Sequence, residues 1–244
     1  MSMFAYAELV LGVMVAVYII AKLFKLSTEL AMFAAAMGGS LAGGFGLPPR
    51  HIAEGTITYL DINLIFITAT LFMNVLKESG GVAFSVRGIL KRFYWSRTLL
   101  VILLTVLLLI PGALTGAGSV TVLITGGMVA VVLETMGVSR VRTAAIVFII
   151  AGLSAAAPPV SLWAMMTAAG VNMPYVGFFW PLLLPCVILS LATIFLLGWK
   201  GEKIDLEKAL EGLPEPPEGM GWGKVFLPLL VFGALIFVGR QWPH

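Results

Sequence analysis

From Phe178 to Trp199 the chain runs without a single charged residue. A stretch of that length is enough to cross a bilayer, which requires about 20 mainly apolar residues. Comparable runs occupy Ala7 to Phe24, Glu29 to Gly46, Tyr59 to Leu76 and Ala144 to Ala168. The composition agrees: 60% of the residues are hydrophobic and 11% charged, where globular chains carry roughly a quarter charged residues. Mean hydropathy is +1.04. The expected fold class is therefore an all-α polytopic membrane protein. A net charge of +3 leaves too few cations for a basic face against a phosphate backbone, which argues for no nucleic acid partner. The single cysteine, Cys186, and the two histidines, His51 and His244, supply neither a disulfide framework nor a Cys/His metal cluster. No basic segment precedes the first run and no small-residue cleavage site follows it, so it reads as a retained helix rather than a signal peptide.

Two further apolar blocks, Thr98 to Ile110 and Val120 to Met136, are short, and Pro111 to Ser119 separates them with one proline and three glycines. A hairpin dipping into the membrane over 98–136 fits them, and two short spans are the other reading. A last short run, Val225 to Val238, is flanked by Trp222 and Trp242, which favour membrane boundaries. If the hairpin returns to its starting face, thirteen of the 15 basic residues fall on one side: Lys22, Lys25, Lys77, Arg87, Lys91, Arg92, Arg97, Arg140, Arg142, Lys200, Lys203, Lys208 and Lys224. Only Arg50 and Arg240 fall on the other. The positive-inside rule makes the rich side cytoplasmic and the N-terminus external. Two full crossings also return the chain, so charge sets orientation and leaves re-entrance to the Pro/Gly cluster. Phe84 to Trp95 mixes apolar and basic positions as an in-plane interfacial helix does. The polar segment from Gly201 to Gly221 reads as a cytoplasmic linker. The expected organisation is thus scaffold helices over 1–82, a surface helix over 83–97 and a transport unit over 98–199. That unit comprises the hairpin, a broken helix over 144–168 and a closing helix over 178–199. The linker over 200–221 and a final helix over 222–244 complete about six spanning helices beside the hairpin.

Backbone that leaves helical geometry at membrane depth needs protein or a cavity around it, because lipid satisfies no freed N–H or C=O. One such place is the tip Thr115-Gly116-Ala117-Gly118-Ser119-Val120-Thr121; the other is Ser154-Ala155-Ala156-Ala157-Pro158-Pro159-Val160-Ser161, where consecutive prolines remove donors. Irregular carbonyls of this kind hold a hard cation, and the following half-helix N-termini offer donors to an anion. The plain alternatives are a glycine turn between packed helices and a proline kink. Asp61 and Asn74 on the third run are further candidates, set against an interfacial acid and a helix cap. Glu134 is expected to reach solvent, and Gly38 to Gly44 to serve close helix packing. No Ser/His/Asp or Cys/His constellation can be assembled, so an enzyme is not expected.

The order of Phe72-Met73-Asn74, a basic surface helix, the Thr115 to Thr121 tip with Gly126 following, and then Pro158-Pro159-Val160-Ser161 resembles the large membrane subunit of TRAP transporters, within the ion-transporter superfamily. The resemblance runs in order over roughly Tyr59 to Leu197. Thr115 stands where the family has its first tip serine and Ala117 where it has a second. Val160 separates the prolines from Ser161. The resemblance implies an elevator-type secondary transporter of a small organic anion, a dicarboxylate or sugar acid, coupled to Na⁺. It places substrate at Thr115, Gly118, Ser119, Thr121, Pro158, Pro159 and Ser161. It places Na⁺ mainly on backbone at Thr115, Gly116, Ala117, Gly118, Ser154, Ala155 and Ala156. It also implies two inverted repeats, of which this sequence shows the first. A separate membrane subunit carrying the second repeat is therefore expected, with a small TRAP membrane subunit and an extracytoplasmic substrate-binding protein, in the inner membrane of a prokaryote. Strong charge bias argues against completion by an antiparallel copy. The alternatives are a non-transporting membrane scaffold or assembly subunit and a homodimeric carrier of another ion-transporter family.

Overall fold

The computed structural model describes residues 3–47, 49–198 and 204–241. Trp199 at the end of the expected closing helix, Lys200, Gly201, Glu202 and Lys203 at the start of the expected linker, and Trp242 flanking the last apolar run lie outside them. Among the described residues every element is helical, and five helices are long and apolar enough to cross a membrane: Tyr6–Leu23, Leu60–Glu78, Arg97–Thr115, Gly118–Thr135 and Tyr175–Gly198. The chain is an all-α polytopic membrane protein, and it divides into two compact units, Met1–Thr58 and Tyr59–His244.

The first unit contains α1 (Met3–Leu23), α2 (Thr28–Ala42) and α3 (Pro49–Thr58). Ser27 starts α2 by accepting the Leu30 N–H on its Oγ at 3.4 Å, satisfying a donor that the first turn leaves without an intrahelical partner. The buried stripe of α2 is Ala31, Ala35 and Gly39, all small. A Cβ on Gly39 would stand 2.5 Å from Met14 Cγ, and one on Gly38 2.9 Å from Val17 Cγ2. The glycines thus let the two backbones approach, as small residues do between membrane helices. Tyr6 closes the pair by donating its hydroxyl to the Gly43 carbonyl at 2.5 Å. The run expected to span from Glu29 to Gly46 is shorter as a helix. It stops at Ala42 after 15 residues, about 22 Å at 1.5 Å per residue, because Gly44 and Gly46 adopt φ of 73° and 68°.

The second unit begins with α4 (Leu60–Glu78), and a left-handed Gly80 turns the chain into α5 (Gly81–Phe93). There follow α6 (Arg97–Thr115), α7 (Gly118–Thr121), one π-helical turn at Val122–Gly126 and α8 (Gly127–Thr135). Next come α9 (Arg140–Ala156), α10 (Leu162–Gly170), a 3-10 turn at Tyr175–Phe178, α11 (Phe179–Gly198), α12 (Leu206–Glu211) and α13 (Trp222–Gln241). The core sits where α6, α8 and α9 meet. Leu100, Leu104 and Leu108 form a row every fourth residue along α6, the ridge by which helices interlock. They pack with Val129, Val132 and Leu133 of α8 and with Ile146 and Ile150 of α9. The reverse side of α9 leaves Val141 and Phe148 exposed, as a lipid-facing surface requires. The unit boundary at Thr58 groups α4 with the hairpin, because its buried face, Ile62, Ala69, Met73 and Leu76, packs on α5, α6 and α10.

Two further expectations change. The blocks around Pro111 are not short: α6 carries its helix through Pro111 to Thr115, and 118–135 is helical throughout, so only Gly116 and Ala117 leave the helix. Pro111 is accommodated because it lies in the last turns of α6, where Thr115 Oγ1 donates to its carbonyl at 2.7 Å. Each arm is therefore about 28 Å long, close to the hydrocarbon thickness of a bilayer. The polar segment is also more than a connector. Ala209 and Leu213 are buried in the main core beside Val86 and Leu90, and Arg87 Nη1 donates to the carbonyls of Leu210 at 3.0 Å and Leu213 at 2.8 Å. Asp205 caps α12 and pairs with Lys208 at 3.3 Å, which holds its carboxyl below the usual value. Many of the basic residues of this unit gather with it at one end: Arg97 donates to the Gly198 carbonyl that closes α11, and Arg140 pairs with Glu134 at 3.6 Å.

Candidate functional site

The hairpin tip and the break in the fourth long run meet in the structure. Gly116 ends α6 in the left-handed region at φ 72°, and Ala117 is extended, so the backbone reverses within two residues. On the other side α9 ends at Ala156, and Ala157 to Ser161 is non-helical, with a cis bond between Pro158 and Pro159. The Val160 N–H donates across to the Ala113 carbonyl at 3.0 Å. Gly116 fits only because it has no side chain: a Cβ there would stand 2.8 Å from Leu162 N and 3.1 Å from Val160 O. One on Gly118 would be 2.5 Å from the Ala151 carbonyl oxygen, and one on Gly112 would overlap Ser154 Oγ.

Apart from Ser119, the hydroxyls of both segments are buried, and Thr121 and Ser154 bond to each other across them. Thr115, Thr121, Thr125, Ser154 and Ser161 are each 1% exposed or less. Ser154 Oγ donates to the Ala151 carbonyl at 2.7 Å and lies 2.8 Å from Thr121 Oγ1. With its one proton committed to Ala151, Ser154 accepts and Thr121 donates. Thr125 donates to the Thr121 carbonyl at 3.0 Å. This cluster is the polar seam of an otherwise apolar interface, and the hydroxyls of Thr115, Thr121, Thr125 and Ser154 each have a hydrogen-bond partner, as low-dielectric burial demands.

Of the residues expected to bind substrate, Thr115, Thr121, Pro158 and Ser161 lie buried in the seam; Gly118 and Pro159 are half-buried at its edge, and Ser119 is exposed. Of the expected Na⁺ group, Thr115, Gly116, Ser154 and Ala155 are buried, and Ala117, Gly118 and Ala156 are half-buried. Their donor set is uniformly neutral oxygen, carbonyl and hydroxyl, which fits a hard monovalent cation. Among the described residues no three His, Cys, Asp or Glu side chains gather to hold a metal ion. Asp61 and Asn74 are not brought in: both are exposed on α4, and neither side chain makes a hydrogen bond or ion pair among the described residues.

Two residues of the site escaped the sequence reading. Tyr175, from the 3-10 turn after α10, accepts the Ser161 N–H on its hydroxyl oxygen at 3.2 Å, so one of the donors at the α10 N-terminus is already occupied. Thr70 on α4 has a buried Oγ1 with no partner. It lies one turn before Met73, which packs with Val120 and Ile124 beyond the tip. A fourteen-residue separation hides Tyr175 from any local pattern, and a lone threonine in an apolar helix carries no signal at all. No family model matches the chain, no curated protein matches it and no solved structure matches it.

Proposed function

We propose that the chain is a membrane subunit of a secondary active transporter for small organic anions, coupled to Na⁺, of the kind that the resemblance to TRAP large subunits implies. The observation that carries the reading is the buried meeting of two non-helical backbone segments, 116–117 and 157–161, each set between apolar helices. Irregular backbone at that place in a membrane protein goes with an ion or substrate pathway. In this reading the carbonyls and hydroxyls of Thr115 to Gly118 and Ser154 to Ala156 hold Na⁺. Ser119, Thr121, Pro158, Pro159 and Ser161 form one wall of the anion site. A separate membrane subunit carries the second repeat, and a small membrane subunit and an extracytoplasmic binding protein complete the system in a prokaryotic inner membrane, with the N-terminus of this chain outside.

The test is uptake in vesicles that contain this chain with its partner subunit, with and without an inward Na⁺ gradient. Gly118→Leu inserts normally and abolishes uptake, because its side chain meets the Ala151 carbonyl. Uptake that persists in this variant, or uptake by the chain alone, overturns the reading. A second reading, a non-transporting scaffold that keeps the fold, draws on the mutual engagement of Thr121 and Ser154, which is also what a permanently packed interface looks like. It requires that no uptake accompany any partner, and that Na⁺ leave the thermal stability of the chain unchanged.

A further inference from the structure

Away from the tip, α5 carries a cavity of about 660 Å³. Its wall on α5 is Phe84, Arg87, Gly88, Lys91 and Arg92, positions that recur every three or four residues and so share one helix face. The opposite face of α5, with Val82, Ala83, Val86 and Leu90, is buried in the protein. The second wall is Trp222 at the start of α13. Its ring meets Phe84 edge-on with centroids 5.0 Å apart, and it lies so close to Gly88 that a Cβ there would overlap the indole. The cavity is thus held open between two fixed elements.

Its charge is one-sided. Arg87 is anchored by the linker carbonyls, neutral acceptors that do not offset a guanidinium. The only carboxylate in the lining, Glu215, is 3.9 Å from Arg87 Nη2 and 88% exposed, which leaves it a weak partner. Lys91 and Arg92 are exposed and have no ion-pair partner among the described residues. Two unpaired cations beside a third, in a cavity with an aromatic wall, fit a phosphate group with an apolar body attached.

The position of the cavity separates the sources of such a ligand. α5 joins the C-terminus of α4 to the N-terminus of α6, both long and apolar enough to cross the membrane, so it lies where these two helices leave the bilayer. The aromatic wall also continues away from the charges: Trp222 stacks on Phe226 at 5.5 Å, and both are nearly half exposed on the apolar helix α13. We propose that this cavity binds the headgroup of an anionic phospholipid of the adjoining leaflet, its phosphate between Lys91, Arg92 and Arg87, its chains along Trp222 and Phe226. The assignment is independent of the transport reading.

The experiment titrates the purified full chain with phosphatidylglycerol and, separately, phosphatidylcholine of the same chain length, and counts retained lipid by native mass spectrometry. One phosphatidylglycerol is retained in preference to phosphatidylcholine. The double variant Lys91→Gln/Arg92→Gln weakens its retention about thirtyfold, the product of two surface cations acting on an anionic headgroup. Both side chains are exposed, so the variant folds, which its elution volume verifies. Arg142→Gln, which removes a cation outside the cavity, leaves retention unchanged. Equal retention of the two lipids, or undiminished phosphatidylglycerol binding by the double variant, overturns the proposal. Displacement of phosphatidylglycerol by equimolar glycerol 1-phosphate overturns it as well, because the site then serves a soluble phosphate.

Discussion

At the scale of single residues, the tip is held by what its glycines lack. Gly116→Ala forces a left-handed backbone on a residue with a Cβ and drives that Cβ against Leu162 N. The strain is about 1–2 kcal/mol and the overpacking a further 1–3 kcal/mol or so. The apparent Tm in detergent therefore falls by several degrees. Gly152→Ala is its control: it sits in α9, one residue beyond the Ala151 carbonyl that Gly118 touches, yet nothing stands within 4 Å of its Cβ position. That variant is neutral or gains up to about 1 kcal/mol from helix propensity. Equal losses in the two melting curves would show that local packing is not what restricts the tip. The Thr121–Ser154 pair gives a second measurement. Ser154→Ala strands the buried Thr121 hydroxyl and costs about 1–3 kcal/mol, and Thr121→Val removes a donor while Ser154 keeps its bond to Ala151. Because both changes remove one shared contact, the double variant loses less than the two single losses added together; simple additivity in thermal or denaturant unfolding would dissolve the pair as a unit.

At the scale of elements, the amount legible in the sequence depended on how local the cause was. The helical character of α5 was legible in its mix of basic and apolar positions, and both non-helical segments in their clustered Pro and Gly. Pro111 reads as a breaker in the sequence, yet a proline near a helix end disturbs little once the Thr115 hydroxyl satisfies the Pro111 carbonyl and the Gly116 N–H satisfies the Gly112 carbonyl. The docking of the polar segment was missed although Leu206, Ala209, Leu210 and Leu213 repeat at helical spacing. Six acidic residues and three prolines over 201–221 mask that spacing. Arg87, by contrast, was placed on the correct helix, but its bonds to Leu210 and Leu213 bridge more than a hundred residues and lie beyond any local rule. Arg87→Lys keeps the charge and loses the planar fork. Amide hydrogen exchange across 204–221 then speeds up severalfold while α6 and α9 stay protected. An unchanged exchange profile would mean that Ala209 and Leu213 hold the segment without the guanidinium.

At the scale of the whole molecule, the depth of the tip distinguishes a re-entrant hairpin from two complete crossings. Ser119 is the exposed side chain of the tip and Cys186, the only cysteine, is buried, so Ser119→Cys in the native background is a single-site reporter. A re-entrant hairpin keeps that thiol at membrane depth, and an impermeant maleimide applied to intact cells labels it far more slowly than a cysteine placed at Asn172. Two complete crossings expose it at the external surface, and the two rates become equal. One feature of the seam bears on how such a molecule would move. The Val160 N–H reaches the Ala113 carbonyl across the gap between chain segments, so a displacement of one segment would carry the other with it. The pair behaves like two fingers knotted at the tip. Distance measurements between spin labels on 118–121 and 154–161 should then give one narrow distribution with and without Na⁺, and a second population would show that the two segments part.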